Sequence, residues 1–369
     1  MLQQDYTRTE VITVDAVRPE AESIEYAARL LRAGEVVVFP TETVYGLGAD
    51  AFQPAALERI FIAKERPHID PLIVHIADEE SLELLAIAIP EQARRLASAF
   101  WPGPLTLILP RGPRVPYLVT AGLETVAVRM PRHPVALALI RALGSPIAAP
   151  SANRFMHVSP TTAQHVLADL AGRVPLILDS GPCEVGVEST VLDLCAQKPV
   201  ILRPGGVSLE ALRAVVPDVQ PPRQRKIIED ALLKENEQAT QRAHQSPGQM
   251  LTHYAPAVPL LLYDGSVESM RAAILAELRQ RQARGERVGV LVADEDLQAF
   301  EQSGATVYSL GNAAAPAQIA SALFNGLRAL EDAHVQVILC RNFADRGLGL
   351  AIRDRLLKAA GGRVIEVNA

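Results

Sequence analysis

From residue 258 onward, short apolar runs at 259–263, 288–292, 335–340 and 364–367 alternate with helical stretches at 266–283, 315–332 and 348–360. A strand that returns parallel to its predecessor needs a long crossover, most often a helix, so this alternation predicts a small Rossmann-like parallel α/β domain. The first two hundred residues alternate less strictly. Helices are expected at 18–33, 54–63, 91–99, 134–143 and 161–171, with strands at 36–39, 72–76, 105–109, 125–129, 147–149, 176–179 and 190–194. Several of these strands lack an intervening helix, so the expected sheet is α/β, mixed and twisted.

Between the two patterns, residues 216–255 are polar and rich in Pro, Gln and charge, with one amphipathic piece at 227–238. The segment closes on Ser246-Pro247-Gly248 and Thr252-His253-Tyr254-Ala255-Pro256. Its composition predicts a linker, and Met250, Leu251 and Tyr254 within it need something to pack against. The expected division is a domain at 18–212, a linker or lid at 213–256 and a second domain at 257–369. At 369 residues, both halves are long enough to bury a core.

Charge and cysteines narrow the function. The chain holds 36 Lys and Arg against 42 Asp and Glu, a formal charge of −6, which disfavours strong direct nucleic-acid binding through clustered cations. Cys183, Cys195 and Cys340 are widely spaced and show no metal-ligand spacing. No apolar run approaches 18 residues and the start of the chain has no apolar leader core, so a cytoplasmic protein without a membrane span is expected.

Polar islands interrupt the apolar strands of the first half. They are Thr41-Glu42-Thr43, Lys64-Glu65-Arg66, Arg129, Ser151-Ala152-Asn153, Glu188-Ser189-Thr190 and Arg203. Each adjoins an expected strand end, where α/β sheets tend to bind ligands. Lys64 and Arg66 read either as a solvated helix end or as a phosphate site. Arg129, flanked by Val128 and Met130, captures a carboxylate or phosphate or makes an internal ion pair. His75 reads as a core histidine or a ligand. The Walker pattern is absent. Gly46-Leu47-Gly48-Ala49-Asp50-Ala51 and Gly347-Leu348-Gly349 fit a dinucleotide fingerprint only loosely. No nucleophile elbow or His-Glu-x-x-His occurs.

In order along the chain, these islands resemble the YrdC-like threonylcarbamoyl-AMP synthases in their longer, two-domain form. The matching stretches are Phe39-Pro-Thr-Glu-Thr-Val-Tyr-Gly-Leu-Gly48, Ala63-Lys-Glu-Arg-Pro67, Pro71-Leu-Ile-Val-His-Ile76, Trp101-Pro-Gly-Pro-Leu-Thr106 and Val126-Ala-Val-Arg-Met-Pro131. Ala149-Pro-Ser-Ala-Asn153, Glu188-Ser-Thr190, Leu202-Arg-Pro-Gly205, Ser246-Pro-Gly248 and His253-Tyr-Ala-Pro256 continue the series. In the second domain the match is looser, chiefly at Gly347-Leu-Gly-Leu-Ala-Ile-Arg-Asp-Arg355.

The resemblance implies an N-terminal YrdC-like sheet and a nucleotidyltransferase activity. L-Threonine, bicarbonate and ATP, with Mg²⁺, would give threonylcarbamoyl-AMP and pyrophosphate. A separate transferase would then use the intermediate to modify tRNA. It implies no side-chain nucleophile, only positioning by binding residues. Thr43, His75, Arg129, Ala149 and Ser189 look like the threonine site. Arg66, Asp70, Thr125, Ser151, Ser159, Arg203 and Tyr254 look like the ATP site, with Lys64 and Asn153 alongside. Metal ligands stay unassigned. Asp70 stands where the resemblance leads one to expect asparagine, and a carboxylate there repels phosphate unless it helps hold Mg²⁺.

Two alternatives come from other classes. An RNA-binding module for tRNA or double-stranded RNA, without nucleotidyl transfer, would need more aromatic and basic surface than a chain with 4% aromatics and a charge of −6 provides. A carbamoyl transferase of the hydrogenase-maturation kind would bring acylphosphatase and zinc-finger-like regions that have no counterpart here.

Overall fold

A computed structural model describes residues 6–222 and 254–367. The amphipathic piece at 227–238, Ser246-Pro247-Gly248 and His253 lie outside them. The chain forms two compact units, one of residues up to Phe155 and from Ser159 through the first half, the other of Met156–Val158 with the C-terminal residues.

The first unit is built on a ten-stranded sheet. Its order is Glu10–Thr13, Leu176–Asp179, Val37–Phe39, Gly46–Asp50, Ile147–Ala148, Ile73–His75, Thr125–Arg129, Leu105–Pro110, Thr190–Asp193 and Val200–Arg203. Parallel and antiparallel pairs are mixed along it, as the irregular strand spacing requires. The edge strands Glu10–Thr13 and Val200–Arg203 were not expected. The first, Glu-Val-Ile-Thr, is largely exposed and carries no apolar run.

Alternation along the strands decides which residues face which side. Val74, Val126, Val128, Leu107 and Leu192 point into the main core, with Leu57 and Ile60 of helix Pro54–Lys64 and Leu96 of helix Glu91–Phe100. On the other side, Val37, Phe39, Ile147 and Ala149 lie under helices Ala21–Arg32 and Pro134–Leu143. Farther along that same side, Ile73, Ile108, Ala127 and Val191 form a small separate apolar cluster. His75 and Arg129 alternate with Val74 and Val128 and so share this second face.

The loosely matching glycine motif at 46–51 is a strand, not a phosphate turn. A Cβ on Gly48 would sit 2.6 Å from Ile147 Cγ2 and 2.7 Å from the Phe39 ring, so glycine here lets Phe39 pack flat on its neighbour.

In the second unit all five strands run parallel, in the order Thr306–Ser309, Val288–Val292, Val337–Arg341, Leu260–Gly265 and Val364–Val367. Helices Val267–Gln282, Pro316–Asp332 and Gly349–Ala359 supply the crossovers, giving the Rossmann-like arrangement that the alternation predicts. The additional edge strand Thr306–Ser309 is only partly buried, which is why its sequence shows no apolar run. No helix among the described residues is long and apolar enough to cross a membrane.

Candidate functional site

Helix Pro54–Lys64 ends on Glu65, which adopts the left-handed conformation at φ 56°. The Glu65 N–H donates to Ile62 O and the Arg66 N–H to Phe61 O, a Schellman closure on a residue other than glycine. That closure turns the chain sharply and carries Lys64 and Arg66 inward. Both are buried, at 1% and 7% exposure, which rules out a solvated helix end. Glu65 itself faces solvent and pairs with Arg154 and Arg173.

Lys64 Nζ donates to Ser151 O at 2.6 Å, to Asn153 O and to Asn153 Oδ1 at 3.3 Å. Its three N–H groups thus clamp the 151–153 turn, and the Ser151 hydroxyl closes on Asn153 Oδ1. Burial, then the Arg66 charge, pulls the Lys64 pKa well below the ordinary lysine value, with Asp169 and Asp70 opposing. Arg66 donates to Asp70 O at 3.2 Å and Pro71 O at 2.8 Å, and its Nη2 lies 2.9 Å from the Asp70 carboxylate. The Arg66–Asp70 pair is almost fully buried. Lys64, Arg66, Asp70, Ser151 and Asn153 therefore form one cluster.

A second cluster centres on Arg129. His75 and Arg129 are register partners on parallel strands. Arg129 Nη1 donates to Thr43 Oγ1 at 2.9 Å and Nε to Gly103 O at 3.3 Å. Thr41 donates its hydroxyl to Val44 O at 2.6 Å, so Thr43 donates to Thr41 Oγ1 and accepts from Arg129. Arg129 Nη2 lies 2.7 Å from Glu42 Oε1, in a pair exposed by only 4% and 1%. Arg129 is thus in an internal ion pair, with Glu42 as its partner.

His75 sits edge-on to Phe39, with ring centroids 6.1 Å apart. Burial, with the Arg129 charge second, lowers its pKa to about 3, so the imidazole is neutral at any ordinary pH. Ala149 is buried, its N–H bonded to Ile73 O. Ser189 Oγ lies 2.7 Å from Thr106 Oγ1 and accepts from Arg203 Nη2 at 3.2 Å, while Arg203 Nε and Nη2 donate to Ser189 O. Beside them, the Ser159 hydroxyl donates to Glu188 Oε1 at 2.6 Å.

The islands do not line one edge of the sheet. Strand Ile147–Ala148 runs antiparallel to Ile73–His75, with Ile147 opposite His75, so the chain leaves toward Ser151 at the end where Ile73 enters. The strands are so short that the two ends stay close, roughly 10 Å apart at ~3.3 Å per residue. Thr125, half-buried at its strand start opposite Pro110, joins neither cluster by a direct bond in the described contacts. Tyr254 belongs to the second unit. There its ring stacks on Phe324 at 5.6 Å and carries the Arg355 guanidinium at 4.9 Å. Glu42, Thr106 and Glu188 also belong to these clusters, although residue type alone gives them no role. An acidic residue between two threonines, in a segment bounded by Phe39-Pro40 and Val44, was the available signal for the first.

Residues 29–205 match the Sua5/YciO/YrdC family model, described as "Telomere recombination", and residues 207–361 match the model described as "Threonylcarbamoyl-AMP synthase, C-terminal domain". A YrdC-type sheet joined to a Sua5-type parallel unit is the class that this architecture defines. The threonylcarbamoyl-AMP synthase of Bacillus subtilis is 47% identical over 357 residues, covering 96% of this chain and 98% of that protein. The Pyrococcus abyssi threonylcarbamoyl-AMP synthase is 44% identical, covering 95% and 97%. The crystal structure of P. abyssi Sua5 complexed with L-threonine superposes with a TM-score of 0.88 at 42% identity, covering 97% of this chain and all of that one. The chain belongs to the threonylcarbamoyl-AMP synthase family, in its two-domain form.

Proposed function

We propose that this protein condenses L-threonine, bicarbonate and ATP into threonylcarbamoyl-AMP, releasing pyrophosphate. The observation that carries the reading is Arg129, a buried guanidinium held from three directions beside a neutral His75 on the second sheet face. That is the clamp an amino-acid carboxylate needs, in a family whose P. abyssi member is described as complexed with L-threonine.

In this reading Thr43, His75, Arg129, Ala149 and Ser189 form the threonine pocket, and Ala149 leaves room beside the clamp. Arg66, Thr125, Ser151, Ser159, Arg203 and Tyr254 serve ATP, with Asp70 holding the Arg66 guanidinium in place and Lys64 and Asn153 shaping the turn. Threonine's amine and bicarbonate give a carbamate. A carbamate oxygen then attacks the α-phosphorus in line with departing pyrophosphate. Such chemistry rests on positioning and charge neutralisation, which suits a site rich in buried cations and without an activated nucleophile. The described residues contain no cluster of three acidic, histidine or cysteine side chains able to hold a metal, and Asp70 is engaged with Arg66. The described residues thus offer no built metal cage. Mg²⁺ accompanying ATP would add to the charge neutralisation that Arg66 and Arg203 supply.

We assign residues 18–212 to catalysis, 213–256 to the connection and 257–369 to the second domain. In the cytoplasm the product would pass to a separate tRNA-modifying transferase. The test is pyrophosphate release by the purified chain, which should need threonine, bicarbonate and ATP together and no tRNA. Equal release without threonine rejects the proposal.

A further inference from the structure

Glu42 stands out among the buried acids. Its side chain is 1% exposed, and Oε1 lies 2.7 Å from Arg129 Nη2. Neither carboxylate oxygen accepts a hydrogen bond of ordinary geometry, and Nη2 makes none either. The two charges touch, yet no well-aligned hydrogen bond joins them. A charged acceptor left buried without a well-formed hydrogen bond destabilises the fold, which makes Glu42 a candidate for a role in binding.

The neighbours narrow that use. Glu42 acts electrostatically on His133 and Cys183, so both lie within its field, and neither carries a positive charge that would satisfy it. Arg129 uses Nε on Gly103 O and Nη1 on Thr43, while Nη2, beside Glu42, makes no well-formed bond. Asp70 has the same unfilled oxygens but lies beside Lys64 and Arg66, whose charges repel a cation. Glu42 is the acid placed next to the proposed carboxylate clamp.

An α-amino acid carries its ammonium one carbon away from its carboxylate. A zwitterion docked antiparallel to the Arg129–Glu42 pair places its carboxylate on the guanidinium and its ammonium on the unfilled oxygens of Glu42. We propose that Glu42 receives the α-ammonium of the substrate and takes one proton from it. The inference rests on the threonine reading above and adds a catalytic residue to it.

The step balances. The N–H bond to the departing proton breaks, its electron pair stays on nitrogen, and Glu42 becomes a neutral carboxylic acid. The free amine then attacks the bicarbonate carbon and the C–OH bond breaks. The hydroxyl leaves as water with a proton from the nitrogen, giving the carbamate anion. Glu42 releases its proton to solvent before the next turnover. Deprotonation has to come first, because an ammonium has no lone pair with which to attack.

The test compares L-threonine with its 2-hydroxy analogue, which keeps the carboxylate and the side chain but has no ammonium. A charge-assisted hydrogen bond predicts about 10–100-fold tighter calorimetric binding of threonine to the wild-type protein. In Glu42→Gln that preference should collapse to about twofold, and pyrophosphate release at saturating threonine should fall about 100-fold or more. A residue that only steadied Arg129 would weaken both ligands alike and leave their ratio intact. Glu42→Asp keeps the charge and should keep the preference with slower turnover, which also serves if the Gln variant does not fold. A wild-type protein that binds both ligands equally, or a Gln variant that keeps the wild-type ratio, overturns the inference while leaving the synthase reading standing. A wild-type protein that binds no threonine overturns both.

Discussion

Asp70→Asn separates the stability of the empty protein from its affinity for nucleotide. Asp70 and Arg66 form a pair exposed by only 1% and 3%. Removing one partner of a buried pair costs about 3–5 kcal/mol, because the surviving charge is left uncompensated. Asparagine keeps the shape, and Arg66 keeps its bonds to the main-chain carbonyls of residues 70 and 71. The loss should therefore fall near the lower bound, about 3 kcal/mol. In a domain of this size that lowers Tm by roughly 6–12 °C. Trp101 is the only tryptophan and lies buried in the first unit, so its fluorescence follows the transition of the unit that holds the pair.

The same change should tighten ATP binding. At an effective dielectric of about 20, removing a unit negative charge roughly 8 Å from a phosphate is worth about 2 kcal/mol, or ~30-fold. The variant should melt earlier when empty and gain more from saturating ATP than the wild type does. Equilibrium dialysis with ATP, alongside melting with and without nucleotide, measures both effects. An Asp70→Asn protein that melts like wild type while binding ATP more weakly would refute the reasoning, because Asp70 would then be serving the nucleotide directly.

Three further outcomes are expected. Arg129→Lys keeps the charge but cannot reach Thr43, Gly103 and a substrate carboxylate together, so the KM for threonine should rise about tenfold or more while the KM for ATP stays put, as steady-state pyrophosphate assays would show. Gly205→Ala places a Cβ 2.3 Å from Glu188 O, Ser189 C and Thr190 N, backbone that cannot yield, so stability should drop by about 1–3 kcal/mol in denaturant melts and Ser189 should lose its register with Arg203. His75 has a folded pKa of about 3 against 6.5 for an ordinary histidine, so the unfolded chain binds the extra proton and stability is lost as pH falls below about 6.5. Between pH 7.5 and pH 5 that loss is about 2 kcal/mol, and His75→Asn should remove that share of the slope in paired urea titrations.

The fold was readable where apolar runs are long and their spacing regular. In the second unit the helices at 267–282 and 316–332 separate strands that are buried on both sides, so every crossover leaves a mark in the sequence. Short edge strands left little. Glu10–Thr13, Val200–Arg203 and Thr306–Ser309 owe their pairing to a neighbour rather than to their own pattern. The site shows the same divide. Residue types betrayed the cations, since Arg129 between valine and methionine demands a partner wherever it sits. Its partner, Glu42, could not be chosen from the sequence, because the strand turn that brings residue 42 to residue 129 is a matter of sheet order. Nor could strand direction be read, and it is direction that sends the Ser151 turn to the end opposite His75.

Arg66 and Arg129 share an arrangement that bears on how a buried cation can be both stable and receptive to an anion. Each is buried, each is tied to main-chain carbonyls, and each touches a carboxylate whose oxygens lack well-formed hydrogen bonds. An isolated buried guanidinium would destabilise the protein, and a perfectly bonded pair would resist any anionic ligand. A pair in contact but poorly aligned is intermediate. It neutralises the cation well enough to fold, and it yields its orientation to a ligand that makes better bonds. In the proposed reaction, where two anionic groups bind and pyrophosphate leaves, that intermediate strength would favour turnover over mere retention.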